Sequence, residues 1–319
     1  MGIINDGETT RVEAWILATR PMTIPVGVSP ILIGAGLAFH HGIFVLEIAV
    51  ASLVANLLNQ QGTHFVNDYY DAIRGIDTDE REGFVRVTQS GLIPTENVKR
   101  GILVIYTLIF LAGMYPVYVG GIPMLVMGIV LAVGGFLYAG PPLYFGDVGL
   151  GDFTIFFGFG VFPSCATYYL MAVASSGVGP FPIGLPPGTV PPVAIIASLA
   201  AAGFATGMMI INNIRDCETD ANAGKCTIPV RFGYQFTRIE FIVVIGVVYL
   251  APIALWSVYG FELWILLPVL SLPYAAIVIY SVLTNTDSAL NRTLIREGHL
   301  TTFHSILFTL GLVIPQLVR

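Results

Sequence analysis

Long apolar runs separated by short polar segments form the main pattern of the chain. The runs are about 20 residues long, which is enough for an α-helix to cross roughly 30 Å of hydrocarbon. Alternating strands of about ten residues, the pattern of an outer-membrane barrel, are not found. The apolar pattern predicts nine helices, near residues 12–39, 47–72, 96–119, 122–140, 151–175, 191–217, 234–258, 262–284 and 297–317.

These helices predict an all-α fold, a polytopic membrane bundle of nine transmembrane helices around a central cavity, with cytoplasmic loops that cap it. Residues 1–319 form a single domain. The composition agrees, because 55% of the 319 residues are hydrophobic and only 11% are charged, whereas soluble domains carry about 25% charged residues. The net charge is −6 and no basic cluster exists, so we expect no nucleic acid as a partner. The three cysteines lack paired spacing and are expected to be free thiols.

The positive charges favour one side of this arrangement. If the N-terminus is cytoplasmic, every Lys and Arg except Arg319 falls in a cytoplasmic segment. Lys and Arg are enriched in the cytoplasmic loops of membrane proteins. We therefore predict a multi-pass protein of the cell (inner) membrane whose N-terminus and active-site loops lie in the cytoplasm.

The second predicted helix carries a polar face that ends in acids. Asn56, Gln60, Thr63, Asn67 and Asp71 are three or four residues apart and share one side of the helix. Polar groups inside a bilayer face the bundle interior or a wet cavity. We therefore expect this face to line the central cavity, which opens at the acidic stretch "NDYYDAIRGIDTDEREG".

The sixth predicted helix ends in a similar way, in "NNIRDCETD". Asn212, Asp216 and Asp220 are one turn apart and again share a face. In both places the acids lie at the C-terminal end of a helix, where the dipole disfavours negative charge by up to about 1 kcal/mol. We expect a positive group to compensate them.

Residues 67–79 and 212–220, named here the first and the second motif, combine carboxylates with amide oxygens. Such hard ligands suit Mg²⁺ that is held partly by substrate phosphates. Two facing clusters could hold two ions with a diphosphate between them, although solvated acidic loops balanced by Arg and Lys would show the same pattern. The predicted metal ligands are Asn67, Asp68, Asp71, Asp77, Asn212, Asp216 and Asp220, with Asp79 as an alternative to Asp77.

Bases near the two motifs could complete a diphosphate site, because Arg and Lys bind phosphate oxygens. The candidates are Arg20 in "RPMTIP", Arg74, Arg86 in "RVTQSG", and Lys225 in "AGKCTIP". The same residues could instead determine topology or pair with the acids.

At these motifs the sequence resembles the UbiA superfamily of intramembrane prenyltransferases. "NDYYDAIRGIDTD" is similar to the family's first Asp-rich motif and "NNIRDCETD" to its second. "RPMTIPVGVSPILIG", "LYAGPP" and "GLGD" are similar as well, and nine helices is the family's number. The loop after "GPP" reads "LYFGDVGLGD" and lacks the basic residue that many relatives place there, and Asp152 stands where relatives often have Glu.

Within the family, "RVTQSGLIP", the second motif and "ALNRTLIREGHLTTFHSILFTLGLVI" most resemble the 1,4-dihydroxy-2-naphthoate polyprenyltransferases of menaquinone synthesis. The resemblance implies Mg²⁺ as cofactor, an allylic polyprenyl diphosphate as donor and an aromatic small molecule as acceptor, in a protein that resides in the lipid bilayer. It also implies a mechanism in which bases, with Mg²⁺ bound beside them, would stabilise the leaving diphosphate, the acceptor ring would attack the allylic cation, and dihydroxynaphthoate would lose its carboxylate as CO₂. Aromatic walls would favour that cation.

Site residues follow from this mechanism. We expect Asp71, Asp216 and Tyr138 to act in catalysis, and Tyr70 with the four bases to contact substrate. Prenyl transfer to 4-hydroxybenzoate or to a glycerol phosphate ether lipid is an alternative. A cation-coupled transporter is an alternative of another class, although acids at helix ends on one side suit a one-sided reaction better. A CDP-alcohol phosphotransferase is disfavoured, because its Asp-Gly-x-x-Ala-Arg opening is missing.

Overall fold

The computed structural model describes residues 9–76 and 83–318, and every regular element in these two ranges is a helix, which confirms the all-α class. The α-helices are α1 (Arg11–Ala18), α2 (Ile24–His40), α3 (Leu46–Ile73), α4 (Thr95–Ala139), α5 (Gly151–Ile155), α6 (Phe162–Ser175), α7 (Pro192–Arg215), α8 (Cys217–Asn222), α9 (Ile228–Ser257), α10 (Leu272–Thr284) and α11 (Leu290–Val318). A π-helical turn, Phe156–Val161, joins α5 to α6. Short 3₁₀ segments, Pro21–Thr23, Leu263–Ser271 and Asp287–Ala289, precede α2, α10 and α11.

The first predicted helix is broken in the structure. Residues 12–39 were expected to form one helix, but α1 ends at Ala18 and α2 begins at Ile24. The cause is Pro21, since the residue before a proline is disfavoured in the right-handed helical conformation. Arg20 accordingly has a φ of 47°, in the left-handed region. The break directs the Arg20 side chain towards α3, where its guanidinium contacts Asn67.

Helix α4 is a single 45-residue element that folds back on itself. A straight helix of this length would measure roughly 65 Å, about twice the hydrocarbon thickness. Gly121 interrupts it with a φ of 64° and a ψ of −148°. The Tyr106 ring meets the Phe136 ring, with 6.0 Å between their centroids, so the two halves lie side by side. The boundary predicted between residues 119 and 122 falls at this break.

Within residues 9–76 and 83–318, seven segments are long and apolar enough to cross a membrane: Arg11–His40, Thr95–Ala139, Gly151–Ser175, Pro192–Arg215, Ile228–Ser257, Leu263–Thr284 and Asp287–Val318. α3 is 28 residues long and is not among them, because its polar face lowers its hydropathy. α4 is counted once although it is broken at Gly121. The molecule is therefore a multi-pass membrane bundle, and the number nine stays a prediction.

Helix α7 lies at the centre of the main apolar core, and most of its residues are buried. Small residues let the neighbouring backbones approach it closely, as is common between membrane helices. A Cβ atom on Gly160 would overlap Ala202 of α7, and one on Gly203 of α7 would overlap Val248 of α9. This packing gives the helix that carries the second motif a rigid support.

A smaller apolar core supports the first motif. Trp15 of α1 meets Phe65 of α3, with 5.6 Å between the ring centroids. Ala14, Val87 and Val98 are buried around this pair. The end of α3 is thereby attached to α1 and to the segment that leads into α4.

The polar face of α3 divides into two parts. Asn56 donates to the Gly27 carbonyl oxygen over 2.7 Å, and Gln60 donates to the Thr23 carbonyl oxygen over 2.9 Å. Buried amides in a bilayer need such partners, because no water is present to supply them. This half of the face packs against the start of α2 instead of lining the cavity that the sequence predicts. Only Asn67 and Asp71, further along, join the candidate site.

Candidate functional site

The two motifs meet at the ammonium group of Lys225. Its Nζ atom lies 3.4 Å from an Asp71 carboxylate oxygen in the first motif and 3.8 Å from an Asp220 carboxylate oxygen in the second. Lys225 follows α8 in a segment that turns back towards α3, and its side chain is only 12% exposed. One acid of the first motif and one acid of the second thus meet around a single positive charge.

Asn67 connects Asp71 to Arg20. The Arg20 guanidinium donates to Asn67 Oδ1 over 2.8 Å, and Asn67 Nδ2 donates to Asp71 Oδ2 over 2.9 Å. Because Asn67 and Asp71 are one turn apart on α3, the amide can bridge the two charged groups. Arg20 is therefore oriented towards the first motif, as expected of a phosphate-binding base.

A third carboxylate reaches this centre from the loop between α4 and α5. Asp147 Oδ2 lies 2.6 Å from the Arg74 guanidinium, and Asp147 Oδ1 lies 3.5 Å from Lys225 Nζ. Arg74 also stacks on the Tyr144 ring, with 4.1 Å from its Cζ atom to the ring centroid. Two of the four predicted bases are thus held at the site by one acid.

Asp68 points to different partners. It is buried, and its Oδ2 atom accepts hydrogen bonds from the Thr88 backbone N–H, over 3.1 Å, and from the Thr88 hydroxyl. These bonds attach α3 to the turn that begins at Arg86. Its hydrogen bonds thus direct Asp68 to Thr88, whereas Asp71 and Asp220 contact Lys225.

In the second motif, Asp216 is paired with its neighbour Arg215. The guanidinium makes two bonds of 2.7 Å to the two carboxylate oxygens, and it donates a third of 3.1 Å to Asn291 Oδ1. Such bidentate pairs are among the stronger side-chain contacts. Arg215 and Asp216 are both buried, so this pair supplies the positive compensation that the helix end requires.

The two asparagines at the end of α7 serve different partners. Asn212 donates to the Met208 carbonyl oxygen in its own helix, over 2.9 Å. Asn213 donates to Asp152 Oδ1 over 3.3 Å. Asp152, at the start of α5, is buried, and its second oxygen has no hydrogen-bond partner in the part of the chain described. The bond between Asn213 and Asp152 thus joins the start of α5 to the second motif.

Aromatic side chains border the centre. Tyr70 packs edge-on against Tyr144, with ring centroids 6.3 Å apart. The Tyr138 hydroxyl donates to Met209 Sδ over 3.1 Å, and the Tyr138 ring packs on Gly146 and Gly151. Tyr138 therefore joins the end of α4 to α7 beside the acids. Both rings lie beside charged residues of the motifs, and their roles stay predictions.

The oxygen donors fit a hard divalent ion that substrate phosphates help to hold. Asp71, Asp216 and Asp220 supply carboxylates, and Asn67 and Asn212 supply amide oxygens. No group of three or more His, Cys, Asp or Glu residues within residues 9–76 and 83–318 is close enough to hold a metal alone. Mg²⁺ usually takes one or two carboxylates together with substrate phosphates, which is what this donor set can offer. The predicted ligand Asp77 and its alternative Asp79 lie outside the described residues.

Residues 27–307 of the chain match the UbiA prenyltransferase family. The chain belongs to the UbiA prenyltransferase family. The match covers both motifs and Lys225, and a prenyltransferase family makes this chain a transferase. The transporter alternative is not supported by this membership.

Known UbiA proteins resemble this chain along almost its full length. The 1,4-dihydroxy-2-naphthoate octaprenyltransferase of Escherichia coli (strain K12) is 28% identical over 324 aligned positions, which cover 98% of this chain and 99% of the relative. The solved apo structure of a UbiA homologue from Aeropyrum pernix K1 has a TM-score of 0.68 at 12% identity and covers 91% of this chain and 98% of its own. A UbiA homologue from Archaeoglobus fulgidus, solved with GPP and Mg²⁺, has a TM-score of 0.61 at 15% identity and covers 92% and 99%. The two structures show that the fold is shared.

Two charged residues of this UbiA site were not singled out from the sequence. Arg215 had a signal, since the helix end required a positive group and this arginine precedes Asp216. Asp147 had none, because nothing in "LYFGDVGLGD" indicates that the loop folds onto the first motif. Only the tertiary structure brings Asp147, Arg74 and Lys225 together.

Proposed function

We propose that this UbiA prenyltransferase transfers a polyprenyl group from an allylic diphosphate to 1,4-dihydroxy-2-naphthoate, with loss of the acceptor carboxylate as CO₂. The observation that carries the proposal is the meeting of the two motifs at Lys225, with Arg20 and Arg74 beside them. The naphthoate acceptor is supported by the Escherichia coli relative and by the similar "RVTQSGLIP" segment.

The diphosphate is proposed to bind where the two motifs converge. Asn67, Asp71, Asp216 and Asp220 would hold Mg²⁺, in keeping with the homologue solved with GPP and Mg²⁺. When bound, Mg²⁺ would neutralise negative charge on the leaving diphosphate. Lys225, Arg20 and Arg74 would donate to its remaining oxygens, since each can supply more than one N–H.

In the proposed reaction, every electron pair of a broken bond has a destination. The allylic C–O bond breaks and its electron pair leaves with the diphosphate. A ring carbon of the acceptor supplies the pair for the new C–C bond, and the pair of the C–CO₂ bond returns to the ring. Tyr70 and Tyr138 would screen the allylic carbon from water and favour its positive charge through their ring faces.

The acceptor carboxylate needs a cation within hydrogen-bond reach that still allows it to leave. Arg86 is proposed for this contact, because it starts the turn that Thr88 attaches to α3 beside the first motif. The two reacting carbons must approach to roughly 3–3.5 Å. Arg86→Ala is expected to raise the KM for the acceptor.

The test uses purified protein in detergent with Mg²⁺, a series of allylic diphosphates and three acceptors, with products identified by mass. Dihydroxynaphthoate should give a prenylated product without the acceptor carboxylate, and excess EDTA should stop its formation. Product from 4-hydroxybenzoate or from a glycerol phosphate, with none from dihydroxynaphthoate, would refute the proposed acceptor. Unchanged turnover in EDTA would refute the metal.

The active-site loops are proposed to face the cytoplasm of the cell membrane, because of the bias in Lys and Arg. Cysteines introduced at Thr95 and Gly224, in a background without native cysteines, should resist an impermeant thiol reagent in intact cells. A cysteine at Gly42, on the opposite loop, is the matched control and should react. Rapid labelling at Thr95 or Gly224 in intact cells would contradict this orientation.

A further inference from the structure

Lys225 is shared by carboxylates from three separate segments. Asp71 ends α3 and Asp220 lies in α8, and both belong to the Asp-rich motifs. Asp147 belongs to neither, since it lies in the loop between α4 and α5. The contact with Asp147 therefore needs an explanation that the motifs do not provide.

Asp147 is held from two sides. Arg74 binds one carboxylate oxygen at 2.6 Å, and the Asp147 carbonyl oxygen accepts from the Cys226 N–H over 2.6 Å. Cys226 is next to Lys225, so the loop and the lysine segment are joined by backbone as well as by side chains. The side chains of Asp147 and Lys225 are 15% and 12% exposed, and charge pairs that are so little exposed are weakly screened by salt.

The three carboxylates would behave differently once the motifs bind a divalent ion. Asp71 and Asp220 would then direct their charge to that ion, and their attraction for an ammonium group would fall. A lysine has a flexible four-carbon stem and would move to solvent if nothing else held it. Asp147 is not a predicted metal ligand and Arg74 keeps it in place, so its carboxylate would still attract Lys225.

We propose that Asp147 is a positioning residue that holds the Lys225 ammonium group at the meeting point of the two motifs, where it faces the diphosphate. The benefit to diphosphate binding rests on the proposed function. The geometric part of the proposal does not depend on that function, because it concerns only the position of the Lys225 ammonium group among Asp71, Asp147 and Asp220. The two parts can therefore be tested separately.

The chain contains only two lysines, Lys99 and Lys225, which permits a direct measurement. Lys99 is exposed on α4 and serves as an internal reference. The purified protein is treated with an amine-reactive reagent without added metal, and the modification of each lysine is followed by peptide mass. Asp147→Asn should raise the rate at Lys225, relative to Lys99, by about threefold, since one of its charge partners is lost.

Three variants decide between positioning and other roles. Asp147→Glu should restore slow modification of Lys225. Arg74→Gln should raise it, because Arg74 holds Asp147. Glu218→Gln removes a carboxylate from the exposed side of α8 and should leave it unchanged. An Asp147→Asn protein whose Lys225 reacts at the wild-type rate overturns the proposal.

Kinetics provide the second readout. Asp147→Asn should raise the KM for the allylic diphosphate by roughly tenfold, with less change in kcat and none in the KM for the acceptor. In a Lys225→Met/Arg74→Gln background, which lacks both bases that Asp147 contacts, the same substitution should add nothing. A further loss in that background would show direct contact of Asp147 with metal or substrate and would overturn the positioning role. Failure of the wild-type protein to make any prenylated product refutes the proposed function and leaves the labelling result valid.

Discussion

The first and second motifs look alike in sequence and are built differently in the structure. In each, an asparagine precedes an aspartate by one turn. Asn67 bridges Arg20 and Asp71, whereas Asn212 donates back to its own helix. Asp71 shares a lysine from another segment, whereas Asp216 is paired with the adjacent Arg215. Asp71 therefore directs its charge to partners from distant segments, whereas Asp216 is neutralised by the residue next to it in the chain.

This difference predicts that Asp71 matters for chemistry and little for folding. Asp71→Asn removes a carboxylate that we propose binds Mg²⁺, and turnover should fall by about 10²–10³-fold, as when a group that stabilises developing charge is lost. The thermal midpoint in detergent should change little, because Lys225 keeps Asp147 and Asp220. Product formation by mass and thermal unfolding measure the two effects.

Glu47→Gln is the control for Asp71→Asn, because Glu47 is an exposed acid at the other end of the same helix. It should leave both quantities unchanged. An Asp71→Asn protein with more than about a tenth of wild-type turnover would remove the first motif from the catalytic site.

Asp216 should matter for both activity and stability. Replacing it by alanine leaves the buried Arg215 guanidinium without its bidentate partner, and breaking a buried pair from one side costs about 3–5 kcal/mol. Turnover should also be lost. Unfolding of the purified protein in detergent, followed with denaturant or heat, should show the destabilisation that Asp71→Asn lacks.

The double variant Arg215→Met/Asp216→Ala separates the two effects of Asp216. It removes both charges, so much of the lost stability should return while turnover stays absent. Equal stability losses for Asp71→Asn and Asp216→Ala would mean that the two motifs are not built differently.

The helices and motifs were predictable because their signals are local. An apolar run of membrane length and polar residues at one-turn spacing depend only on helix geometry, and α3 begins and ends within one residue of its prediction. The partners were not predictable in this way. Adjacent residues do not face each other on a helix, but α7 ends at Arg215, and Asp216 has a φ of −91° and a ψ of 8°, outside regular helical geometry, where the two side chains can pair.

Residues that depend on loop closure could not be inferred either. Asp147 reaches Lys225 only because the α4–α5 loop folds over the end of α3. The break at Arg20 was readable in principle from Pro21, although an apolar pattern that continues through the proline conceals it. Spacing alone also could not separate structural from functional polar residues on α3. Asn56 and Gln60 have the same spacing as Asn67 and Asp71, but they make structural hydrogen bonds at the start of α2.

Asp68 tests how far membership of a motif implies a shared role. We expect Thr88→Val to cost about 2 kcal/mol of stability, because it removes a hydroxyl that donates to a buried carboxylate. The Mg²⁺ concentration that gives half-maximal turnover should not change. Asp68→Asn should behave in the same way, as measured by unfolding and by Mg²⁺ titration of activity. A tenfold shift in that Mg²⁺ requirement for Asp68→Asn, with unaltered stability, would instead make it a ligand, as its position in the sequence suggests.

The smallest effect concerns two cysteines, one within the second motif and one just after it. Cys217 follows Asp216 and is buried, whereas Cys226 follows Lys225 and is exposed. Burial raises the pKa of the Cys217 thiol, and the nearby acids Asp220, Glu218 and Asp287 raise it further, against a hydrogen bond with Tyr234 that lowers it. The thiolate is the reactive form, so at pH 7.5 a maleimide should modify Cys226 about ten times faster than Cys217.

The pH dependence of this labelling tests the direction of the shift in the Cys217 pKa. A raised pKa means that the thiolate of Cys217 forms only at higher pH, so its modification rate should still be rising with pH where that of an ordinary cysteine has levelled off. Cys165 is buried in the α6 core and should stay slow throughout, which makes it the reference for burial alone. Peptide mass follows all three thiols in one sample. Equal rates at Cys217 and Cys226 at pH 7.5 would show that the Asp216 side of the second motif is open to solvent, and the contrast between Asp216, which is paired with its buried neighbour Arg215, and Asp71, which is paired with a distant segment, would then have to be abandoned.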